Sequence, residues 1–150
     1  MCICGVCMQN AQLGGNMYYI GVDLGTSAVK LLLMEESGKI CNIVSKEYPL
    51  FFPHPGWSEQ NPEDWFTQSV EGIKELTSEC DKSQVAGISF GGQMHGLVIL
   101  DKDDQVIRPA ILWNDGRSQK ETEYLNNEIG KEKLSAYTAN IAFAGFTAPK

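Results

Sequence analysis

No apolar stretch in the 150 residues approaches the roughly 20 needed to cross a bilayer; the chain offers only short pieces such as Leu31-Leu32-Leu33-Met34. No run of lysine or arginine follows one segment, and 12 basic against 19 acidic residues leave a formal net charge of −7. Membrane and nucleic acid are thus poor partners for this surface. Histidine is confined to His54 and His95, too few for a multi-histidine metal site. Neither the glycine-lysine phosphate loop of Walker type nor the glycine-flanked serine elbow of hydrolases is present. The five cysteines are odd in number, with Cys2, Cys4 and Cys7 in the first seven residues and Cys41 and Cys80 far apart. A disulfide framework does not fit, and a reducing, cytoplasmic setting is expected. Cys-x-Cys-x-x-Cys also lacks the fourth ligand that tetrahedral zinc requires.

What is there is a globular composition, 43% hydrophobic and 21% charged with 15 glycines, long enough for one domain with a core of its own. Residues 1–16 have neither the basic start nor the apolar centre of a signal peptide, and read as an unstructured leader outside the fold, with Met17 as an alternative start. From Tyr18 the pattern becomes short apolar runs: Tyr18–Val22, Val29–Met34, and Ile40–Val44 with alternation toward Tyr48. They read as three strands, and turns as short as Gly25-Thr26-Ser27 and Glu35–Lys39 make them antiparallel. Pro53, Pro55 and Gly56 end the meander.

A helix starts at Asn61, with Pro62 in its first position and Glu63 and Asp64 in its first turn. Its expected inner face is Trp65/Phe66, Val70, Ile73 and Leu76/Thr77. Val85–Phe90 and Gly96–Leu100 read as buried strands, Asp101–Gln105 as a turn before Val106-Ile107, and Ala110–Trp113 as a further strand. A polar helix is expected from Ser118 to Glu128, with Leu125 and Ile129 on its weak apolar side. The fold class is α/β. Three strands, a helix and a parallel strand open the ribonuclease H-like unit of actin-like phosphotransferases.

Three segments can carry chemistry. Asp23-Leu24-Gly25-Thr26-Ser27 puts a carboxylate where a strand ends in a glycine turn. It is either a plain hairpin turn or a wrap for phosphate oxygens beside a carboxylate that holds hydrated Mg²⁺. Lys30 falls out of phase with its apolar neighbours, as a solvated strand residue or a phosphate contact. Gly91-Gly92-Gln93-Met94-His95-Gly96 lies at the end of a strand, where ligands bind in α/β sheets, although His95 and Met94 also suit plain packing. Trp113-Asn114-Asp115-Gly116-Arg117 has the aromatic, amide, carboxylate and guanidinium that hold polyhydroxy ligands. Equally, Asn114 or Asp115 could cap the next helix while Arg117 pairs with an acid.

Tyr19–Ser27, Gly56-Trp57-Ser58-Glu59-Gln60, Gly92–Gly96, Arg108–Arg117 and Gly145–Lys150, in that order, resemble the FGGY carbohydrate kinase family. The DLGTS turn is shared by many actin-like kinases; GQMHG and WNDGR are more specific. The resemblance implies an actin-like ATPase fold and ATP-dependent phosphorylation of D-xylulose, or a similar ketose, to its 5-phosphate, with Mg²⁺. It implies that Asp23 organises the metal, that Gly25, Thr26, Ser27 and Lys30 face the nucleotide phosphates, and that Met94 and His95 contact the sugar. Gln93, Trp113, Asn114, Asp115 and Arg117 are further sugar-site candidates. Family members are several times longer, so residues 17–150 are expected to form the N-terminal portion of the first domain. The general base, the adenosine pocket and the rest of the kinase chain are then expected downstream, leaving this segment alone with little turnover. The alternatives are a non-catalytic sugar-binding lobe and a kinase for another ketose or polyol.

Overall fold

A computed structural model describes residues 17–150; the Cys2, Cys4 and Cys7 leader at 1–16 lies outside the described residues. Three antiparallel strands form the expected meander: β1 (Tyr18–Leu24), β2 (Ala28–Glu35) and β3 (Ile40–Glu47). Leu24 pairs with Val29 and Asp23 with Lys30 at the first hairpin. The chain then forms β4 (Glu59–Gln60) and α1 (Pro62–Leu76), and returns as β5 (Val85–Gly92), parallel to β1. The sheet order is β3-β2-β1-β5. A parallel neighbour requires a crossover, which α1 supplies.

Alternation decides the core. Ile20, Val22, Val29, Leu31, Leu33 and Val44 point to one side of the sheet and are buried with Leu76 of α1. The start of α1 is as expected, with the Asn61 side chain accepting from the Glu63 N–H. Its inner face holds at Trp65, Ile73, Leu76 and Thr77 but not at Phe66. Phe66 is 69% exposed, whereas Ser69 and Gly72 are buried with Leu76, and Trp65 and Ile73 pack alongside. Small residues win here because the helix lies close on β2: a Cβ added at Gly72 would come within 2.5 Å of the Leu31 side chain.

Other expectations need correction. The strand at Val85–Phe90 exists, but Ile88 and Phe90 are 47% and 66% exposed, because α1 covers β2 and β3 rather than β5. Gly96–Leu100 is no continuous strand; it makes single bridges, Leu97 to Ile111 and Leu100 to Val106. Ala110–Trp113 shortens to β6 (Ala110–Ile111), which pairs antiparallel with β4, a strand the pattern did not reveal. The polar helix is α2 (Gln119–Tyr124), widening through a π-helical turn at Leu125–Gly130 into α3 (Lys131–Thr138). Gly130, at φ 92°, sits where the two meet, and left-handed Ala139 ends α3. Among the described residues no helix is long and apolar enough to cross a membrane.

Candidate active site

The turn between β1 and β2 is closed on itself. The Gly25 N–H donates to the carbonyls of Asp23 (3.2 Å) and Ala28 (3.0 Å), and a Cβ on Gly25 would lie 2.9 Å from the latter oxygen. Glycine is thus needed for shape, and its own N–H is already in use. From beneath, the buried Tyr48 hydroxyl donates to the Gly25 carbonyl. Burial, with the negative charge of Asp23 adding to it, pushes the Tyr48 phenol up to about 12.

Asp23 and Lys30 are cross-strand partners on the sheet face opposite α1. Both are exposed, and among the described residues neither forms an ion pair. They border an open depression of about 560 Å³ floored by Gly21, Leu32, Ser89 and Gly91. A carboxylate and an ammonium without internal partners, at the rim of a concave surface beside a glycine turn, fit a polyphosphate with its Mg²⁺.

The Gly92–Gly96 loop leaves β5 beside this turn. The Gln93 N–H donates to the Leu24 carbonyl at 2.7 Å, and Gly92 lies so close to Leu24 that a Cβ would come within 2.8 Å of the Leu24 Cβ. Met94 is 69% exposed. His95 adopts a left-handed backbone, φ 60°, and stacks its ring on Phe146 at 4.0 Å. The His95 carbonyl accepts from Lys150 Nζ (2.7 Å), which also donates to Leu112 O (2.8 Å) and Ile111 O (3.3 Å). Burial lowers the Lys150 pKa, although Asp115 opposes that effect.

Trp113 joins the same assembly, its indole N–H donating to Thr26 Oγ1 at 3.1 Å. Asp115 and Arg117 do not. The Asp115 side chain has no exposed surface, and its two oxygens accept from Ser58 N, Arg117 N, Arg117 Nε and Arg117 Nη2 at 2.7–2.9 Å. Four donors exhaust a carboxylate. Burial would raise its pKa, but the hydrogen bonds from Arg117 and Ser58 prevail and hold it below the ordinary carboxylate range. Arg117 also pairs with Glu59 at 2.7 Å and lies 3.7 Å over the Trp57 ring. Glu59 takes a second cation, Arg108, at 2.7 Å. The pairing of Arg117 with a nearby acid, one of the two readings of this segment, describes the observed geometry. Asn114 is exposed beside Trp57 and His54, on a separate depression.

Pattern reading assigned no role to Gln60, Tyr48, Glu59 or Lys150. Gln60 and Glu59 stood in the Gly56–Gln60 motif, where two polar residues before a helix look like solvated loop. Their burial arises from the β4–β6 pairing, which joins segments about fifty positions apart.

The N-terminal domain model of the FGGY family of carbohydrate kinases matches residues 18–150. Over 135 residues the chain is 49% identical to the xylulose kinase of Bacillus subtilis strain 168, covering 89% of this chain and 27% of that protein. Among solved structures, a xyloylose kinase from Brucella ovis superposes with TM-score 0.81 at 44% identity, over 88% of this chain and 28% of that one. A glycerol kinase from Plasmodium falciparum, solved with ADP, shares the fold at TM-score 0.80 and 17% identity, over 93% of this chain and 28% of its own. The chain therefore spans little more than a quarter of the length of these relatives.

Proposed function

The chain belongs to the FGGY family of carbohydrate kinases, and on that premise we propose that residues 17–150 are the N-terminal portion of the first domain of an ATP-dependent ketose kinase, with D-xylulose as substrate. The observation that carries this reading is the junction of two strand ends. Through the Gln93 N–H to Leu24 carbonyl bond, the loop of Met94 and His95 stands next to the Gly25–Ser27 turn, as transfer between a bound nucleotide and a bound sugar requires.

In this reading ATP supplies the phosphoryl group and Mg²⁺ neutralises charge on its oxygens. Asp23 holds the hydrated metal, Lys30 meets phosphate oxygens, and the backbone and hydroxyls of Thr26 and Ser27 line the phosphates. Gly25 gives the turn its shape. Met94 and His95 contact the sugar, His95 being held by its stack on Phe146 and by Lys150. Gln93, Trp113, Asp115 and Arg117 act behind these contacts by fixing their backbone, and Asn114 stands at the exposed edge. The base that takes the hydroxyl proton and the adenosine pocket belong to residues beyond this segment. Such a division suits phosphoryl transfer, which depends on positioning and charge more than on covalent participation of the protein.

The test is ADP release by the full-length protein with ATP, Mg²⁺ and a panel of ketopentoses, ketohexoses, polyols and sugar acids. Preference for D-xylulose supports the reading. Preference for a polyol or sugar acid would transfer the same machinery to that substrate, and sugar binding without ADP release would favour a non-catalytic lobe.

A further inference from the structure

We propose that Gln60 is a positioning residue that fixes the spacing between the phosphate turn at 25–27 and the loop at 93–96; the inference rests on the roles given to those segments above. Gln60 is 1% exposed, yet its amide has four partners. Its Nε2 donates to Thr26 O (2.6 Å) and Pro49 O (3.3 Å), and its Oε1 accepts from Trp65 Nε1 (3.0 Å) and Gln93 Nε2 (3.1 Å). An indole N–H can only donate and a backbone carbonyl can only accept, so the partners dictate which end of the amide is which. Both donors and both lone pairs are used.

The orientation passes along the chain of bonds. Because Trp65 fixes the Gln60 oxygen, Gln93 must offer its nitrogen there, and its own Oε1 is left buried without a partner among the described residues. An unpaired buried acceptor is costly, so the rotamer of Gln93 is held by the bond to Gln60 and not by anything at its other end. The backbone bond from Gln93 to Leu24 sets how far apart the two strands lie. Gln60 adds the tie between what extends beyond them, the Thr26 carbonyl on one side and the Gln93 side chain on the other, with α1 as its anchor through Trp65. A carboxylate of the same size keeps the acceptor half of this link and loses the donor half. Methionine loses both.

The experiment uses the full-length kinase with Gln60→Glu and Gln60→Met, read by steady-state kinetics and by hydrogen exchange of segments 24–28 and 91–96. In Gln60→Glu, exchange is expected to quicken at 24–28 alone. KM for ATP should rise and kcat fall by about fivefold to a hundredfold, the range a lost buried hydrogen bond gives, with sugar KM nearly unchanged. In Gln60→Met both segments should lose protection and both KM values should rise. The proposal is overturned if both variants lower Tm while kcat and both KM values of the folded enzyme stay at wild-type values, or if Gln60→Glu leaves protection at 24–28 intact. Failure of the unaltered enzyme to phosphorylate any sugar would remove the functional reading instead, and the exchange pattern alone would then decide the link.

Discussion

The indole of Trp113 donates to the hydroxyl of Thr26 across 87 positions of sequence, at 3.1 Å. The contact ties the Trp113–Arg117 segment to the Gly25–Ser27 turn, and not to the Gln93–Gly96 loop alone. Trp113→Phe keeps the ring and removes the donor. We expect KM for ATP to rise a few-fold, in line with a loss of about 1 kcal/mol, with sugar KM unchanged. Kinetics with each substrate varied in turn will check this, and a rise confined to the sugar would assign Trp113 to sugar stacking.

Asp23 is exposed and, among the described residues, without an ion pair, so its replacement should leave folding untouched. Asp23→Asn in the full-length enzyme is expected to lower kcat by about 10²–10³-fold, the scale of losing one charge-stabilising group in a transfer reaction, at unchanged Tm. A drop in Tm of several degrees together with the activity loss would contradict a purely functional role.

Met94 and His95 should separate in their effects. Met94 is exposed and packs against little, so Met94→Ala should raise sugar KM without loss of stability. His95→Ala also gives up the stack on Phe146 and places alanine at φ 60°, which should add a destabilisation of about 1–2 kcal/mol. Urea titrations and a sugar panel measure both, and unchanged activity in both variants would remove the sugar-contact assignment.

Acid should expose the buried pair. The folded-state pKa of Asp115 is depressed below its ordinary value of 3.8, so its contribution to stability is complete above that value and is lost as pH falls through the folded pKa. Asp115→Asn removes one of the two carboxylates that Arg117 pairs with inside the protein, and should cost about 3–5 kcal/mol at neutral pH. It should also flatten the fall in stability below pH 4. Chemical denaturation of the full-length protein at pH 7 and pH 3.5 tests both expectations; an Asn variant as acid-sensitive as the parent would place the titrating group elsewhere.

The local rules read well where structure is local. The two hairpins, the Asn61 cap and the turn at Gly25 follow from neighbours a few residues away, and each stands where alternation and turn residues put it. The errors have one origin. Phe66 looked like core because apolar residues at helical spacing normally are, but the close seat of α1 on Leu31 gave the inner line to Ser69 and Gly72. For Asp115 and Arg117 the pairing with acids, one of the two readings of the segment, is what the geometry shows, but its partners are not all local. Nothing near these two residues in sequence announces Ser58, Glu59 and Trp57, which occupy them. Gln60 was invisible for the same reason: an amide becomes a hub only when Thr26, Trp65 and Gln93 converge on it.

The parallel placement of β5 against β1 carries a consequence in time. The hairpins β1–β2 and β2–β3 close over a few residues, and their contacts can form early and quickly. The pairing of β1 with β5 waits for some sixty residues and for α1 to cross over, and the clasp of Lys150 on the His95 carbonyl closes a further 55 positions. The Gly25–Ser27 turn can thus be shaped while the Gln93–Gly96 loop is still unattached. Substitutions in β1 and β2 should slow folding, whereas those at His95, Phe146 and Lys150 should chiefly hasten unfolding.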